Sequence, residues 1–169
     1  MTRALSLAVE FCLLAANIVA FGALLVPGSR AGRVAFRAMV WGAAAALLAS
    51  LATMVLRLDV VWLMDAWRVD VTSQAVKAVI MAGLLGSVLA TRQDSDEWHN
   101  VRAVGPFFRL ACATALAVAA SAGDLIVLWL ALDLGTASLV MSVAVGGRWS
   151  AREKVVRRLV QSWLPSSVL

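Results

Sequence analysis

Three side chains set in apolar surroundings carry the chemistry available to this sequence: Asp133, Lys77 and Glu10. Asp133 lies near the middle of the apolar run that extends from Ser121 to Val145. A charge at that depth in a bilayer costs roughly 3 kcal/mol or more, so it is kept only against protein or water. Such a carboxylate either handles ions and protons or fastens helices together through hydrogen bonds. Lys77 stands about one turn inside another apolar run, where it reads as a snorkelling lysine or a buried titratable base. Glu10 stands about one turn inside the first run and reads as snorkelling to the interface or as part of a polar path. Proton hopping between titratable groups and water is the chemistry these residue types permit; simple structural pairing is the alternative.

The elements that must position these groups are membrane helices. The 169-residue chain is 62% apolar, against roughly 45–50% in soluble domains. Its mean hydropathy is +0.88. The class is all-α, a polytopic membrane protein of about five transmembrane helices with a C-terminal amphipathic or partial helix, and the whole chain is a single membrane domain. The apolar spans fall at about 5–26, 34–56, 72–91, 106–121 and 123–145. The first run is longer than a signal-peptide core and contains Glu10 and Asn17, so it reads as a span and not as a cleaved leader.

Local signals mark the ends of the spans. Val26-Pro27-Gly28-Ser29 stops the first. The second has a small-residue middle, Gly42 to Ala46 with Ala49 and Ser50, which suits close helix contact in lipid. Residues 57–71 mix Trp62 and Trp67 with Arg57, Asp59, Asp65, Arg68 and Asp70, the composition of a loop at headgroup depth. Asp70, Thr72 and Ser73 are N-cap candidates for the third span, and Pro106 suits the first turn of the fourth. The turn Ala122-Gly123-Asp124 is so short that spans four and five form an antiparallel hairpin, with Asp124 as a cap. Over 151–164, Lys154, Arg157, Arg158 and Gln161 take one helix face; Val155, Val156, Leu159, Val160 and Trp163 take the other. That pattern fits a helix lying in the interface, with Lys154, Arg158 and Trp163 as lipid contacts; a polar connector is the competing reading.

Charge sets orientation. Five spans place Arg30, Arg33, Arg37, Arg92, Arg102, Arg148, Arg152, Lys154, Arg157 and Arg158 on one side, ten basic residues against Arg3, Arg57 and Arg68 on the other. The basic side is the cytoplasmic one. The expected location is the cell (inner) membrane, with the N-terminus outside. The net charge of +5 then belongs to contact with anionic lipid and not to nucleic acid.

Soluble-style catalysis has no residues to run on. There is no glycine-rich nucleotide loop, no nucleophile–base arrangement, and no haem or flavin signature. Cys12 and Cys112 lie within apolar segments as small core residues, and no spacing of ligands suits a metal. His99, the single histidine, has acidic neighbours and reads as a solvated loop residue. No cofactor is expected on this chain.

Three stretches, taken in order, resemble a known family. Ala119-Ala-Ser-Ala-Gly-Asp-Leu-Ile-Val-Leu-Trp-Leu-Ala-Leu-Asp133-Leu134 is similar to A-S-A-N-D-L-L-x-L-F-L-G-L-E-L of the antiporter-like membrane subunits of NADH–quinone oxidoreductase (respiratory complex I), subunit N most closely. Val69-Asp70-Val-Thr-Ser73-Gln-Ala-Val-Lys77 is similar to that family's V-D-x-F-S-x-x-x-K. Ser150-Ala-Arg-Glu153-Lys-Val-Val-Arg157 is similar to S-x-E-A-A-L-K, with one extra residue before the glutamate. The Leu-Val-Pro-Gly-Ser-Arg turn between the first two spans also suits that subunit's opening.

The resemblance implies a membrane subunit of a proton-pumping assembly coupled to quinone reduction, with other membrane subunits as partners. Asp133 falls where the family has its fifth-helix glutamate, making it a proton-transfer candidate with Lys77 as a second. Arg157 falls on the sixth-helix lysine. An arginine keeps its proton at ordinary pH, so Arg157 acts as a fixed positive modulator. The match covers the N-terminal third of such a subunit. The family's seventh and later helices have no counterpart, which implies a truncated or split subunit and a separate chain as the source of those helices. A non-catalytic structural subunit of the same kind of assembly is the alternative, and an independent small transporter a third reading.

Overall fold

The computed structural model describes residues 6–25, 29–62, 66–91 and 104–146. They form five α-helices: α1 (Ala8–Leu25), α2 (Ser29–Val55), α3 (Val71–Thr91), α4 (Val104–Ala120) and α5 (Leu125–Gly146). A two-stranded antiparallel hairpin, β1 (Val60–Trp62) and β2 (Trp67–Val69), lies between α2 and α3. Four helices are long and apolar enough to cross a membrane: α1, α2, α3 and α5. At 17 residues, α4 is the short apolar helix of the set. The chain is a multi-pass membrane protein by helix length and hydropathy. Its boundaries follow the expected spans closely, except that α2 begins at Ser29, five residues before position 34.

Small side chains set the packing of α1 on α2. The buried side of α1 is Val9, Leu13, Ala16, Ala20 and Ala23, alternating steps of four and three. It meets Ala31, Ala35, Met39, Ala43 and Ala46 of α2 in one apolar core. Gly42 marks the closest approach: a Cβ there would lie 2.3 Å from the Cβ of Ala16. In lipid, where apolar burial alone drives little association, such close backbone approach supplies dispersion contact. One polar link crosses the middle of the bundle. Asn17 Nδ2 donates to Thr114 Oγ1 at 2.7 Å and to Leu13 O at 2.9 Å.

The hairpin is tied down on two sides, and so caps one end of the bundle. Val60 pairs with Val69, Val61 with Arg68 and Trp62 with Trp67. The Arg68 amide donates to Ser121 O at 2.8 Å, the Gly123 amide donates to Ala66 O at 3.0 Å, and Trp67 bridges to Ala122. The α4–α5 turn therefore acts as a third edge to the sheet. On the other side Trp62 Nε1 donates to Ser6 Oγ at 3.2 Å, joining the hairpin to the start of α1. The tryptophan-rich loop expected at headgroup depth thus has regular structure.

The helix ends are well made. α2 closes with paired bonds from Arg57 N to Met54 O (3.0 Å) and Leu58 N to Thr53 O (3.3 Å). This is the Schellman arrangement, with Arg57 at φ 47° where glycine is usual. α3 opens on a reciprocal cap: Ser73 N donates to Asp70 Oδ1 at 2.7 Å and Asp70 N to Ser73 Oγ at 3.0 Å. α5 opens on Asp124, whose Oδ1 accepts from Ile126 N at 2.6 Å.

Candidate functional site

Capping fixes the phase of α3, and the phase decides which side chains point inward. From Asp70, positions 73, 74, 77 and 81 follow at helical spacing, and Ser73, Gln74, Lys77 and Met81 are all buried. Lys77 has 0% exposure and is the largest wholly buried side chain among the described residues. Lysine is almost never buried unless it is paired. Here its ammonium donates to Glu10 Oε1 on α1, in a salt bridge between the starts of two parallel helices. Trp67 supplies a further contact, its ring centroid 5.9 Å from Lys77 Nζ. That is the outer reach of a cation–π interaction.

Glu10 sits in the first turn of α1. The positive end of the helix dipole favours a carboxylate there. Its side chain is 19% exposed, against 0% for that of Lys77. The pair is therefore buried chiefly on the lysine side. Of the two readings for each residue, snorkelling fits neither: the two groups turn towards each other. Burial of an ion pair costs several kcal/mol per ion in desolvation, which close geometry and further hydrogen bonds must offset.

Around the pair the packing is polar. Ser50 Oγ donates to Gln74 O at 2.9 Å and also contacts Gln74 Oε1 at 3.2 Å. Thr53 Oγ1, one turn on, donates to Ser50 O at 2.8 Å. Asp70 at the mouth of α3 accepts from the Ser73 amide, which is the main cause of a carboxyl held below its ordinary 3.8; Arg68, 3.4 Å away, adds to the effect. The site thus draws on α1, α2, α3 and β2, beneath the hairpin.

Asp133 is placed elsewhere. It is the ninth residue of α5 and half-buried. The buried stripe of α5 is Ala131, Gly135, Ser138 and Ser142, and Gly135 rests on Ala115 of α4. Two residues from Ala131 is about 200° round a helix, so Asp133 lies on the side turned away from that stripe. Its neighbours there, Trp129 and Leu130, are exposed. The structure therefore pairs Lys77 with Glu10 and not with Asp133. Arg157, Lys154, Arg158, Trp163 and His99 lie outside the described residues. Among the described residues no group of His, Cys, Asp and Glu is arranged to hold a metal ion. Cys12 and Cys112 are free and partly buried.

Sequence reasoning missed the partnership of Glu10 and Lys77. The signal was present in the topology. Spans one and three begin on the same side of the membrane, and each carries one ionisable group, of opposite sign, close to that side.

No family model, no curated protein and no solved structure matches this chain.

Proposed function

We propose that the chain is an antiporter-like membrane subunit of a proton-pumping NADH–quinone oxidoreductase-type assembly in the cell membrane. The observation that carries this reading is the wholly buried Lys77, paired across helices with Glu10. Ionisable side chains at membrane depth that pair with one another are the kind that mark ion and proton pathways. The order of the three motif stretches supports the same assignment. The hairpin end faces outside and the basic end faces the cytoplasm.

Asp133 is the second proton-handling group in this proposal. The apolar residues beside it on α5, Trp129 and Leu130, are exposed, and that side of the helix suits cover by another membrane subunit. Arg157, outside the described residues, is assigned the role of a fixed positive charge on its chemistry alone.

Affinity purification of the full chain in mild detergent, with identification of its companions, tests the assignment. Membrane subunits of a quinone-reducing complex are the expected companions. A chain that purifies alone contradicts it. Companions together with full proton pumping after loss of both Lys77 and Asp133 would assign the chain a structural role.

A further inference from the structure

Four buried polar atoms at the hairpin end have no hydrogen-bond partner among the described residues: Glu10 Oε2, Trp67 Nε1, Gln74 Nε2 and Ser121 Oγ. They are not scattered. Glu10 and Trp67 both meet the Lys77 ammonium. Gln74 stands one turn before Lys77 on the same side of α3, and the Ser121 carbonyl takes the amide of Arg68, the residue after Trp67. Gln74 is 0% exposed and Ser121 1%. Each such group left without a partner carries a desolvation penalty that nothing offsets.

Their chemistry is complementary. Trp67 Nε1 and Gln74 Nε2 only donate, Glu10 Oε2 as a carboxylate only accepts, and the Ser121 hydroxyl does either. Donors and acceptors of this mix suit a molecule that accepts and donates hydrogen bonds at once. A cation is disfavoured by the two N–H donors and the ammonium, and an anion by the carboxylate.

We propose that this end of the bundle is a binding site for ordered water, shared by Glu10, Trp67, Gln74 and Ser121. Buried waters characteristically make about three hydrogen bonds to groups that otherwise have none. Water here gives Glu10 Oε2 a hydrogen-bond donor and Trp67 Nε1 and Gln74 Nε2 an acceptor. The site does not depend on which assembly the chain occupies.

The test is nuclear magnetic resonance of the full chain in detergent micelles with 15N-labelled tryptophan indoles, the Trp67 signal being assigned by its loss in Trp67→Phe. Selective excitation of water is expected to give a cross-peak at the Trp67 indole proton, and Ser121→Ala is expected to weaken it. Thermal unfolding supplies a second reading. Ser121 Oγ has no partner among the described residues, so in a dry site Ser121→Ala is neutral or raises Tm, whereas loss of a water ligand lowers it. No cross-peak, together with an unchanged or raised Tm in Ser121→Ala, overturns the proposal.

Discussion

Lys77 and Glu10 are 67 positions apart in sequence, yet the lysine ammonium is bonded to the glutamate carboxylate inside the bundle. Each reaches the other because its helix begins at the same end. The capping of α3 by Asp70 and Ser73 sets the rotation that turns Lys77 towards α1. Removing one member leaves the other charge buried and unpaired. Lys77→Met is expected to cost about 3 kcal/mol, the low end for a broken buried pair, because Glu10 retains some access to water. Adding Glu10→Leu is expected to recover much of that loss. Chemical or thermal unfolding in detergent of both single variants and the double variant checks the coupling.

At Gly42 the prediction is steric. A methyl group at 2.3 Å from the Ala16 Cβ forces α1 and α2 apart, so Gly42→Ala is expected to destabilise by about 1–3 kcal/mol. Ala16→Gly in the same chain is expected to restore most of it. Melting temperatures of the two variants decide.

Arg57 predicts a gain. A non-glycine residue in the left-handed region costs roughly 1–2 kcal/mol, and Arg57 is held there at φ 47°. Arg57→Gly is expected to stabilise the α2 terminus by up to about 1 kcal/mol, since glycine also has more freedom to lose on folding. A fall in unfolding temperature would mean that the arginine side chain contributes more than the strain removes.

The Asp70 cap predicts a pH response. Its folded carboxyl is held below 3.8, chiefly by the Ser73 amide. A depressed folded value means that the unfolded state binds the proton more readily. The contribution is therefore complete above the ordinary value and is lost as pH falls through the folded one. Asp70→Asn is expected to flatten the acid limb of Tm against pH, and an unaltered limb would exclude this cap as its source.

Asp133 separates stability from assembly. Asp133→Leu is expected to leave the isolated bundle folded in detergent, read by thermal unfolding, while reducing recovery of partner subunits. Asp124→Asn serves as the control: its oxygen caps α5 at 2.6 Å and an amide oxygen can do the same, so little change is expected. Equal losses of partners from both substitutions would remove the special place of Asp133.

Much of this architecture was legible in the residues, and the exceptions have physical causes. Apolar length marked the helices, Asp70 and Asp124 marked two of their starts, and the Gly42 to Ala46 stretch marked a close contact. The short turn at 122–124 predicted the α4–α5 hairpin. The β-hairpin was hidden because its strands are three residues long and owe their order to tertiary bonds from Ser121, Gly123 and Ser6. The outward position of Asp133 was hidden because α5 is apolar all round, so its sequence has no side to distinguish. The Glu10–Lys77 pair needed depth and topology taken together, since neither residue has a local motif that names its partner.

The most direct measurement is NADH-driven proton uptake into inverted membrane vesicles carrying Lys77→Met or Glu10→Gln, with copurification confirming that the assembly is intact. Loss of uptake in both variants, with partner subunits retained, is the predicted result. Uptake at the wild-type rate in an intact Lys77→Met assembly would contradict a proton-handling role for the buried pair.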